Sequence, residues 1–468
     1  MANNIKKIAF IGNYLPRRCG IATFTTDLCE TFAALNPSVQ LFAIPVTDIE
    51  EGYDYPERVR FEIKEQDIIS YKAAADFLNL NNIDVVCLQH EFGIFGGDAG
   101  SYILTLLRQL KMPIVTTLHT VLQHPSARQK RVMDELLDLS DYVVVMTQKA
   151  IDILQAVHKI HGSKILLIPH GIPDVSFIDP NFYKDQYGVE GKTALLTFGL
   201  LAPHKGIEVV LRALPKVIKE HPNAVYIVVG ATHPNLLRHE GEAYRLFLQR
   251  LCDELGVSRN VIFHNRFVSP EELKELLVLA DIYITPYLEE AQIISGTLAY
   301  SFGVGNAVIS TPYWHAAELL SDGKGILVPF NDPEAIGQAI IRLIGNENER
   351  NAMRKSAYLL GREMIWSNVT LKYASIFEES RMKRSPVTQK KITMHPLEQL
   401  FPVLPDIKLD HLVRMTDSIG IFQHATFNVP NFSEGYCTDD NARALILAVL
   451  LENLGTVNLL TINDLASR

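Results

Sequence analysis

The sequence has few cysteines, and they form no recognisable pattern. The 468 residues include five, Cys19, Cys29, Cys87, Cys252 and Cys437, and no two of them form a C-x-x-C pair. An odd, scattered set argues against a disulfide framework and against a zinc site built on cysteine pairs. This usage is typical of a reducing compartment, so we expect a cytoplasmic location.

Long apolar runs and a leader-like N-terminus are also missing. Residues Met1 to Lys7 lead directly into the short apolar run Ile8–Ile11, without the hydrophobic region of a signal peptide. No stretch approaches the roughly 18 consecutive apolar residues of a spanning helix. The sequence therefore predicts no transmembrane segment and leaves peripheral contact with a membrane open.

An excess of basic charge is absent as well. The net charge is −9 at pH 7 and the isoelectric point is about 5.9. Nucleic-acid-binding domains usually present a basic surface, so we expect no nucleic-acid partner. The composition, 47% hydrophobic and 21% charged, is that of an ordinary globular protein.

The sequence does contain two series of short apolar runs that alternate with helical patterns. In the first series the predicted strands are Lys7–Gly12, Gln40–Pro45, Val85–Gln89, Ile114–His119, Tyr142–Met146 and Ile165–Pro169. In the second series they are Ala194–Phe198, Ala224–Val229, Val261–His264, Ile282–Thr285, Ala307–Thr311 and Ile326–Pro329. Wholly apolar strands, each followed by a helix, indicate parallel sheets buried on both faces. We predict an α/β protein with two doubly wound, Rossmann-like domains, residues 1–180 and 181–380, facing each other across a cleft.

Helices are predicted between these strands and beyond them. They are Thr23–Leu35, Ala99–Leu110, Arg128–Leu139, Lys149–His158, Ile207–His221, Ala243–Leu255, Pro270–Leu279 and Pro333–Leu343. The basic, proline-containing stretch Arg381–Lys391 predicts a linker over residues 381–400. Residues 401–468, with helical patterns at Pro405–Met415 and Asn441–Leu454, are interpreted as a partial helical extension.

Ligands of open parallel sheets bind beyond the carboxyl ends of the strands, so the segments after each strand are the candidates for a site. After the first strand, a turn that ends at Gly20 carries Arg17 and Arg18 just before a helix. This turn lacks the G-x-G-x-x-G dinucleotide fingerprint, but arginines at a helix N-terminus suit anionic or polar ligand groups. The alternative is a surface loop whose arginines face solvent.

Polar residues also follow later strands of the first series. His90, Glu91 and Gly96 lie in a glycine-rich loop that suits contact with a sugar, the alternative being a tight glycine turn. His119 ends the fourth strand and His170 follows the sixth. Either imidazole can also be purely structural.

In the second series two segments suit an anion. The first, Gly199–Gly206, carries Lys205 just before a helix whose free N–H groups favour negative charge. The second brings Ser295, Gly296 and Thr297 to the start of another helix. A diphosphate bound there gains a point-charge partner in the lysine, and an exposed lysine is the alternative.

These segments resemble the family 4 retaining glycosyltransferases of the GT-B fold, over roughly residues 6–380. The resemblance is strongest in Gly199–Gly206, in Val261–Tyr287, in GNAVISTP at Gly305–Pro312 and in GILVPFNDPEAI at Gly325–Ile336. It implies that the first domain receives a carbohydrate or lipid-linked acceptor. The second domain then holds a nucleotide-diphosphate sugar.

The resemblance also implies residue roles. Lys205 grips the diphosphate, His119 lies at the donor sugar, and the turn ending at Gly20 lies near phosphate and acceptor. The segment His264–Phe267 flanks the base, and the last helix, Trp366–Glu379, crosses back onto the first domain.

Two positions depart from the family pattern. Leu200 stands where relatives carry Arg, which leaves one cation for the diphosphate unless Arg266 reaches in. The places of a Glu-x7-Glu pair are taken by Gln292 and Tyr300. Gln292 can hydrogen-bond sugar hydroxyls, Tyr300 can stack or bond, and Glu289–Glu290 lies near enough to substitute. The SGTLAY segment and the helical extension resemble those of a bacterial subgroup.

The resulting expectation is a hexosyltransferase that retains the anomeric configuration. Helix N-termini and Lys205 stabilise the charge that develops on the leaving diphosphate, so no metal or other cofactor is expected. The alternatives on the same scaffold are a sugar-nucleotide epimerase and a phosphorylase. A non-catalytic protein that binds glycans or nucleotide sugars is the alternative from another class, favoured by the missing Glu pair. The sequence leaves the sugar, base, acceptor, linkage and oligomeric state open.

Overall fold

The computed structural model describes residues 5–383 and 408–454. The chain divides into two compact units, residues 1–387 and 388–468. Most of the predicted linker, residues 384–400, and the first residues of the predicted helix Pro405–Met415 lie outside the described residues. The last part of the predicted extension, residues 455–468, lies outside them too.

The first unit begins with a parallel sheet that has the strand order β3-β2-β1-β4-β5-β6-β7. The strands are β1 (Lys7–Gly12), β2 (Gln40–Thr47), β3 (Ile63–Lys64), β4 (Val85–His90), β5 (Ile114–Leu118), β6 (Tyr142–Val145) and β7 (Ile165–Leu167). The helices are α1 (Gly20–Leu35), α2 (Ile68–Leu80), α3 (Tyr102–Leu107), α4 (Ala127–Leu139) and α5 (Gln148–Ile153). The central strands are buried, except at Lys7 in β1, because helices cover both faces of the sheet.

A second parallel sheet follows, with the order β10-β9-β8-β11-β12-β13. Its strands are β8 (Thr193–Phe198), β9 (Ala224–Val229), β10 (Val261–His264), β11 (Ile282–Thr285), β12 (Ala307–Ser310) and β13 (Ile326–Leu327). Its helices are α6 (Ile207–Glu220), α7 (Pro234–Glu240), α8 (Ala243–Glu254), α9 (Pro270–Leu279), α10 (Gly296–Gly303), α11 (Trp314–Leu319), α12 (Pro333–Gly345) and α13 (Glu347–Gly361). The predicted pair of Rossmann-like domains is thus confirmed, and the predicted boundary at residue 180 falls between β7 and β8.

The chain crosses between the two domains twice, at adjacent places. Ile172, just after the first sheet, forms a parallel bridge with Ile365. The backbone N–H of Ile172 bonds the carbonyl of Met364, and that of Trp366 bonds the carbonyl of Ile172, both at 2.9 Å. Helix α14 (Trp366–Lys383) then packs against the first domain, as the resemblance implies, where Tyr373 and Phe377 are buried. We call this pair of crossings the hinge.

Several predicted elements need correction at their ends. The predicted helix at Ala99 begins only at Tyr102, because Ala99 has φ +51° and lies in a 3₁₀ turn between two glycines of positive φ. Helix α5 continues as a π-helical turn, Leu154–His158. His119 lies one residue beyond the end of β5.

The described part of the second unit spans residues 408–454. It contains α15 (Asp410–Met415), a hairpin of β14 (Ala425–Thr426) and β15 (Val429–Pro430), and α16 (Thr438–Leu454). The Phe422 ring packs against Phe432 and Tyr436. In the described ranges of the chain, no helix is long and apolar enough to cross a membrane.

Candidate functional site

The carboxyl ends of the two sheets face each other across a cleft. Asp48, which follows β2, accepts a hydrogen bond of 3.2 Å from Arg238 on α7. The Arg18 guanidinium, in the loop after β1, lies 6.0 Å from the ring centroid of Phe267, which follows β10. At the other side of the cleft, the Glu318 carboxylate of α11 accepts the backbone N–H of Gln148 at the start of α5.

The first predicted anion segment, Gly199–Gly206, turns tightly between β8 and α6. Pro203–Lys205 forms a 3₁₀ turn, and Gly206 precedes α6 with φ +66° and no side chain capping the helix. A Cβ atom at Gly206 would lie 2.2 Å from the carbonyl oxygen of Pro286. Only glycine therefore lets this turn pass so close to the segment after β11.

Lys205 points to the aromatic ring that joins the two predicted anion segments. Its Nζ lies 3.8 Å from the ring centroid of Tyr287, a cation–π contact. The Tyr287 hydroxyl lies 3.0 Å from the Thr297 hydroxyl and 3.4 Å from that of Ser295. Burial raises the pKa of Tyr287, but Lys205 and these hydroxyls outweigh it, and the pKa lies below its ordinary value.

The start of α10 lies against the end of β8. Ser295 caps the helix by accepting the N–H of Leu298. A Cβ atom at Gly199 would lie 3.2 Å from Thr297 Cγ2, so the two segments are in contact. The structure thus brings together five predicted donor-site residues, Gly199, Lys205, Ser295, Gly296 and Thr297.

His119 lies at the carboxyl end of the first sheet as a neutral imidazole. Its Nε2 is 2.9 Å from the amide oxygen of Gln89, which can only accept, so this nitrogen carries the proton. Burial, helped by His170 and His90, lowers the pKa of His119 to about 3. The ring of Phe24 on α1 packs edge-on against it at 4.8 Å.

Two further histidines border the start of α10. His170 Nδ1 donates to the carbonyl of Gly171 at 2.7 Å, and its Nε2 would lie 2.9 Å from a Cβ atom at Gly296. His315 Nδ1 accepts the N–H of Ser295 at 3.0 Å. Burial lowers the pKa of His170 to about 4 and, together with His170, that of His315 to about 3. Sequence reasoning weighed His170 without selecting it and missed His315, although His315 also follows a strand of the second sheet.

The residues at the expected Glu positions are held by protein groups. Gln292 Nε2 donates to the carbonyl of Ile294 at 2.6 Å. The Tyr300 hydroxyl donates to Asp27 of α1 at 2.8 Å. Glu290 is exposed, as is its neighbour Glu289. Asp27 was missed because nothing near it in the sequence marks it as a site residue.

Of the predicted arginines, Arg17 and Arg266 form ion pairs within the protein, whereas Arg18 is exposed, as the solvent-facing alternative describes. Arg266 is exposed and forms a two-point ion pair with Glu272. The alternative of a solvent-facing Arg17 is wrong, because its side chain is only 13% exposed and bonds the Asn13 side chain and the Val46 carbonyl. Gly20 is exposed at the start of α1.

The glycine-rich loop after β4 is packed at its centre, where Ile94–Gly96 is buried, and exposed at Gly93 and Asp98, which agrees with the tight-turn alternative. His90, predicted to lie in this loop, is instead the last residue of β4. It is 0% exposed, and neither ring nitrogen has a hydrogen-bond partner among the described residues. The Glu91 carboxylate accepts the N–H of Phe92 and the hydroxyl of Thr120. A Cβ atom at Gly96 would lie 1.9 Å from the Glu65 carbonyl oxygen.

Known proteins match both domains. The model of Glycosyltransferase Family 4 matches residues 19–175, and that of Glycosyl transferases group 1 matches residues 180–360. An uncharacterized glycosyltransferase of Methanocaldococcus jannaschii is 28% identical over 408 residues, 80% of this chain and 98% of that protein.

Solved structures share the fold. Sucrose-phosphate synthase from Thermosynechococcus elongatus has a TM-score of 0.67 at 16% identity, covering 81% of this chain and 100% of that one. The Anabaena protein HepE, in complex with UDP and glucose, has a TM-score of 0.62 at 14% identity, covering 80% and 100%.

Two facing Rossmann-like domains, with a lysine and a helix N-terminus converging in the cleft, define a protein of the GT-B fold. Within that fold, the matching family models and the similar protein are glycosyltransferases. The chain belongs to the GT-B glycosyltransferases of the family 4 type.

Proposed function

We propose that this glycosyltransferase moves a hexose from a nucleotide-diphosphate sugar to a carbohydrate or lipid-linked acceptor and retains the anomeric configuration. The observation that carries the proposal is the contact of Lys205 with Tyr287, whose hydroxyl meets Ser295 and Thr297. A cation and a helix N-terminus are thereby directed at one place. That combination suits a diphosphate.

The chemistry follows from where charge develops. Breaking the bond between the anomeric carbon and the diphosphate leaves negative charge on the phosphate oxygens and positive charge on the sugar ring. Lys205 and the backbone N–H groups of Gly296 and Thr297 stabilise the leaving group without having to reorganise. Because these groups supply the charge compensation, we propose that the transfer needs no metal ion.

The first domain contributes neutral polar groups. His119 has a low pKa and stays uncharged near pH 7, so it can hydrogen-bond a sugar hydroxyl without repelling the developing positive charge. The nucleotide-sugar donor is supported by the similar fold of HepE, described with UDP and glucose. All five cysteines are free, in keeping with action in the cytoplasm.

One observation favours a second candidate, a non-catalytic protein that binds nucleotide sugars. The amide of Gln292 is engaged by the backbone, and the carboxylates of Glu289 and Glu290 are exposed. The two sequence positions of the Glu pair are therefore held by Gln292 and Tyr300, neither of which is a carboxylate. Such a protein binds the donor but does not turn it over.

Turnover of the donor separates these candidates. Purified protein is incubated with UDP-, GDP- and ADP-sugars, and release of the nucleoside diphosphate is measured. Lys205→Ala is expected to lower turnover about a hundredfold or more, since one transition-state donor is worth on the order of 3 kcal/mol. Lys219→Ala, an exposed lysine near the far end of α6, is the control and keeps wild-type turnover. Near-normal turnover in Lys205→Ala contradicts the assignment, and donor binding without turnover by the wild type supports the second candidate.

A further inference from the structure

A hydrogen bond between α1 and α10 joins the two domains next to the cleft. The Tyr300 hydroxyl of α10 donates to Oδ2 of Asp27 on α1 at 2.8 Å. Tyr300 is 8% exposed, and burial is the main reason that the pKa of Asp27 is raised. Asp27 is half-buried, and a tyrosine–carboxylate bond that is partly shielded from water is stronger than an exposed one. The bond therefore constrains how α1 and α10 face each other.

Both partners lie one helical turn from groups of the candidate site. Tyr300 follows Thr297 by three residues on α10, and Thr297 is in the first turn that points at the diphosphate. Asp27 follows Phe24 by three residues on α1, and the Phe24 ring packs 4.8 Å from His119. A displacement at the pair is thus transmitted directly to both halves of the site.

The pair also lies beside the hinge. The Trp366 ring, at the start of α14, is 5.0 Å from Phe24. It packs against Gly171, where a Cβ atom would come within 2.2 Å of the ring. Contacts close to an axis of rotation change least in length when two domains rotate about it. The pair can therefore hold the domains in register without blocking entry to the cleft.

We propose that Asp27 and Tyr300 are positioning residues, whose hydrogen bond aligns the first domain with the nucleotide sugar held by the second. The inference rests on the proposed function. The groups that bind the donor, Lys205 and the start of α10, all belong to the second domain. Loss of the pair therefore leaves donor binding nearly unchanged. It misplaces first-domain groups such as His119 relative to the bound sugar, and small misplacements slow the chemical step.

The experiment measures kcat and the KM of the donor, from nucleoside diphosphate release, for Tyr300→Phe, Asp27→Ala, Asp27→Asn and the double variant Asp27→Ala/Tyr300→Phe. Tyr300→Phe and Asp27→Ala are each expected to lower kcat about tenfold, with the KM of the donor changed less than about twofold. The double variant is expected to be no slower than either single variant, because both remove the same bond. Asp27→Asn keeps an oxygen that accepts from the tyrosine and is expected to restore most of kcat.

Tyr142→Phe is the matched control. Tyr142 is buried like Tyr300, and its hydroxyl also donates to a carboxylate, that of Glu379, at 2.7 Å. It lies at the amino end of β6, the end of the sheet opposite the cleft. Its removal is expected to leave kcat and KM at wild-type values.

The possible results separate this inference from the proposed function. Unchanged kcat in Tyr300→Phe and Asp27→Ala, or additive losses in the double variant, overturns the positioning role. An Asp27→Asn variant as slow as Asp27→Ala also overturns it, since the charge and not the alignment then matters. A wild type that binds no UDP, GDP or ADP and releases none overturns the proposed function, and the inference with it. Circular dichroism and melting temperature show that each variant is folded.

Discussion

At the scale of single residues, the first domain and the cleft hold several histidines as neutral imidazoles. Burial is the main cause that lowers the pKa of His90, His119 and His315 to about 3 and that of His170 to about 4. Below the ordinary value of 6.5 the unfolded chain takes up protons that the folded chain does not. The contribution of these neutral histidines to the free energy of unfolding is therefore fully present above pH 6.5. It is lost progressively as the pH falls toward 4.

His90 allows this acid sensitivity to be measured. In His90→Leu one such group is removed, so the free energy of unfolding should fall less steeply between pH 6 and pH 4.5, by about 1.3 kcal/mol per pH unit. Urea unfolding at several pH values measures the slope. His124→Leu, at an exposed position, is the control and should keep the wild-type slope. A wild-type slope in His90→Leu would show that the imidazole is protonated in the folded protein.

At the scale of elements, the site depends on the glycine turn that leads into α6. Gly206 sends the chain into α6, and a Cβ atom there would lie 2.2 Å from the Pro286 carbonyl. Gly256 has a similar φ of +69° but nothing within 4 Å of an added Cβ, so it isolates the cost of the backbone conformation. Comparing alanine substitutions at Gly206 and Gly256 therefore separates the cost of backbone strain from that of the close contact.

We predict that Gly206→Ala is less stable than Gly256→Ala in urea unfolding. In both variants an alanine must adopt the left-handed backbone conformation, which costs about 1–2 kcal/mol. Only in Gly206→Ala does the new Cβ atom also clash with the Pro286 carbonyl. Because the clash displaces Lys205, Gly206→Ala should also bind the diphosphate more weakly, whereas Gly256→Ala should bind like the wild type. Equal stability and equal binding in the two variants would show that the turn does not need glycine.

Elements with strong periodicity were predictable and weakly patterned ones were not. β1, β9, β10, β11 and α9 have the predicted bounds, because apolar runs and helix caps such as Ser269 mark them. Helix α2 was missed since two of its four buried positions are alanines, Ala74 and Ala75, which give little hydrophobic signal. The two-residue strand β3 is too short to show alternation.

At the scale of the whole molecule, the fold follows from the alternation of apolar strands with helices, and the candidate donor side follows from the rule that ligands bind beyond the carboxyl ends of the strands. The contacts between the domains follow from neither. Lys205 and Thr297 lie directly after strands or at helix starts, where the rule places ligands. Asp27 and Tyr300 are 273 residues apart in sequence. Periodicity describes each domain separately and carries no information about which helices of the two domains meet.

The central claim is that the cleft binds a nucleoside diphosphate through Lys205 and the start of α10 without a metal ion. Isothermal titration calorimetry of the wild type and Lys205→Ala with UDP, GDP and ADP, in buffer containing EDTA, tests it most directly. At least one of these ligands should bind the wild type, with Lys205→Ala weakening it about tenfold or more, the strength of a charge-assisted contact. Equal affinity in the two proteins, or no binding of any of the three in EDTA, would contradict the account.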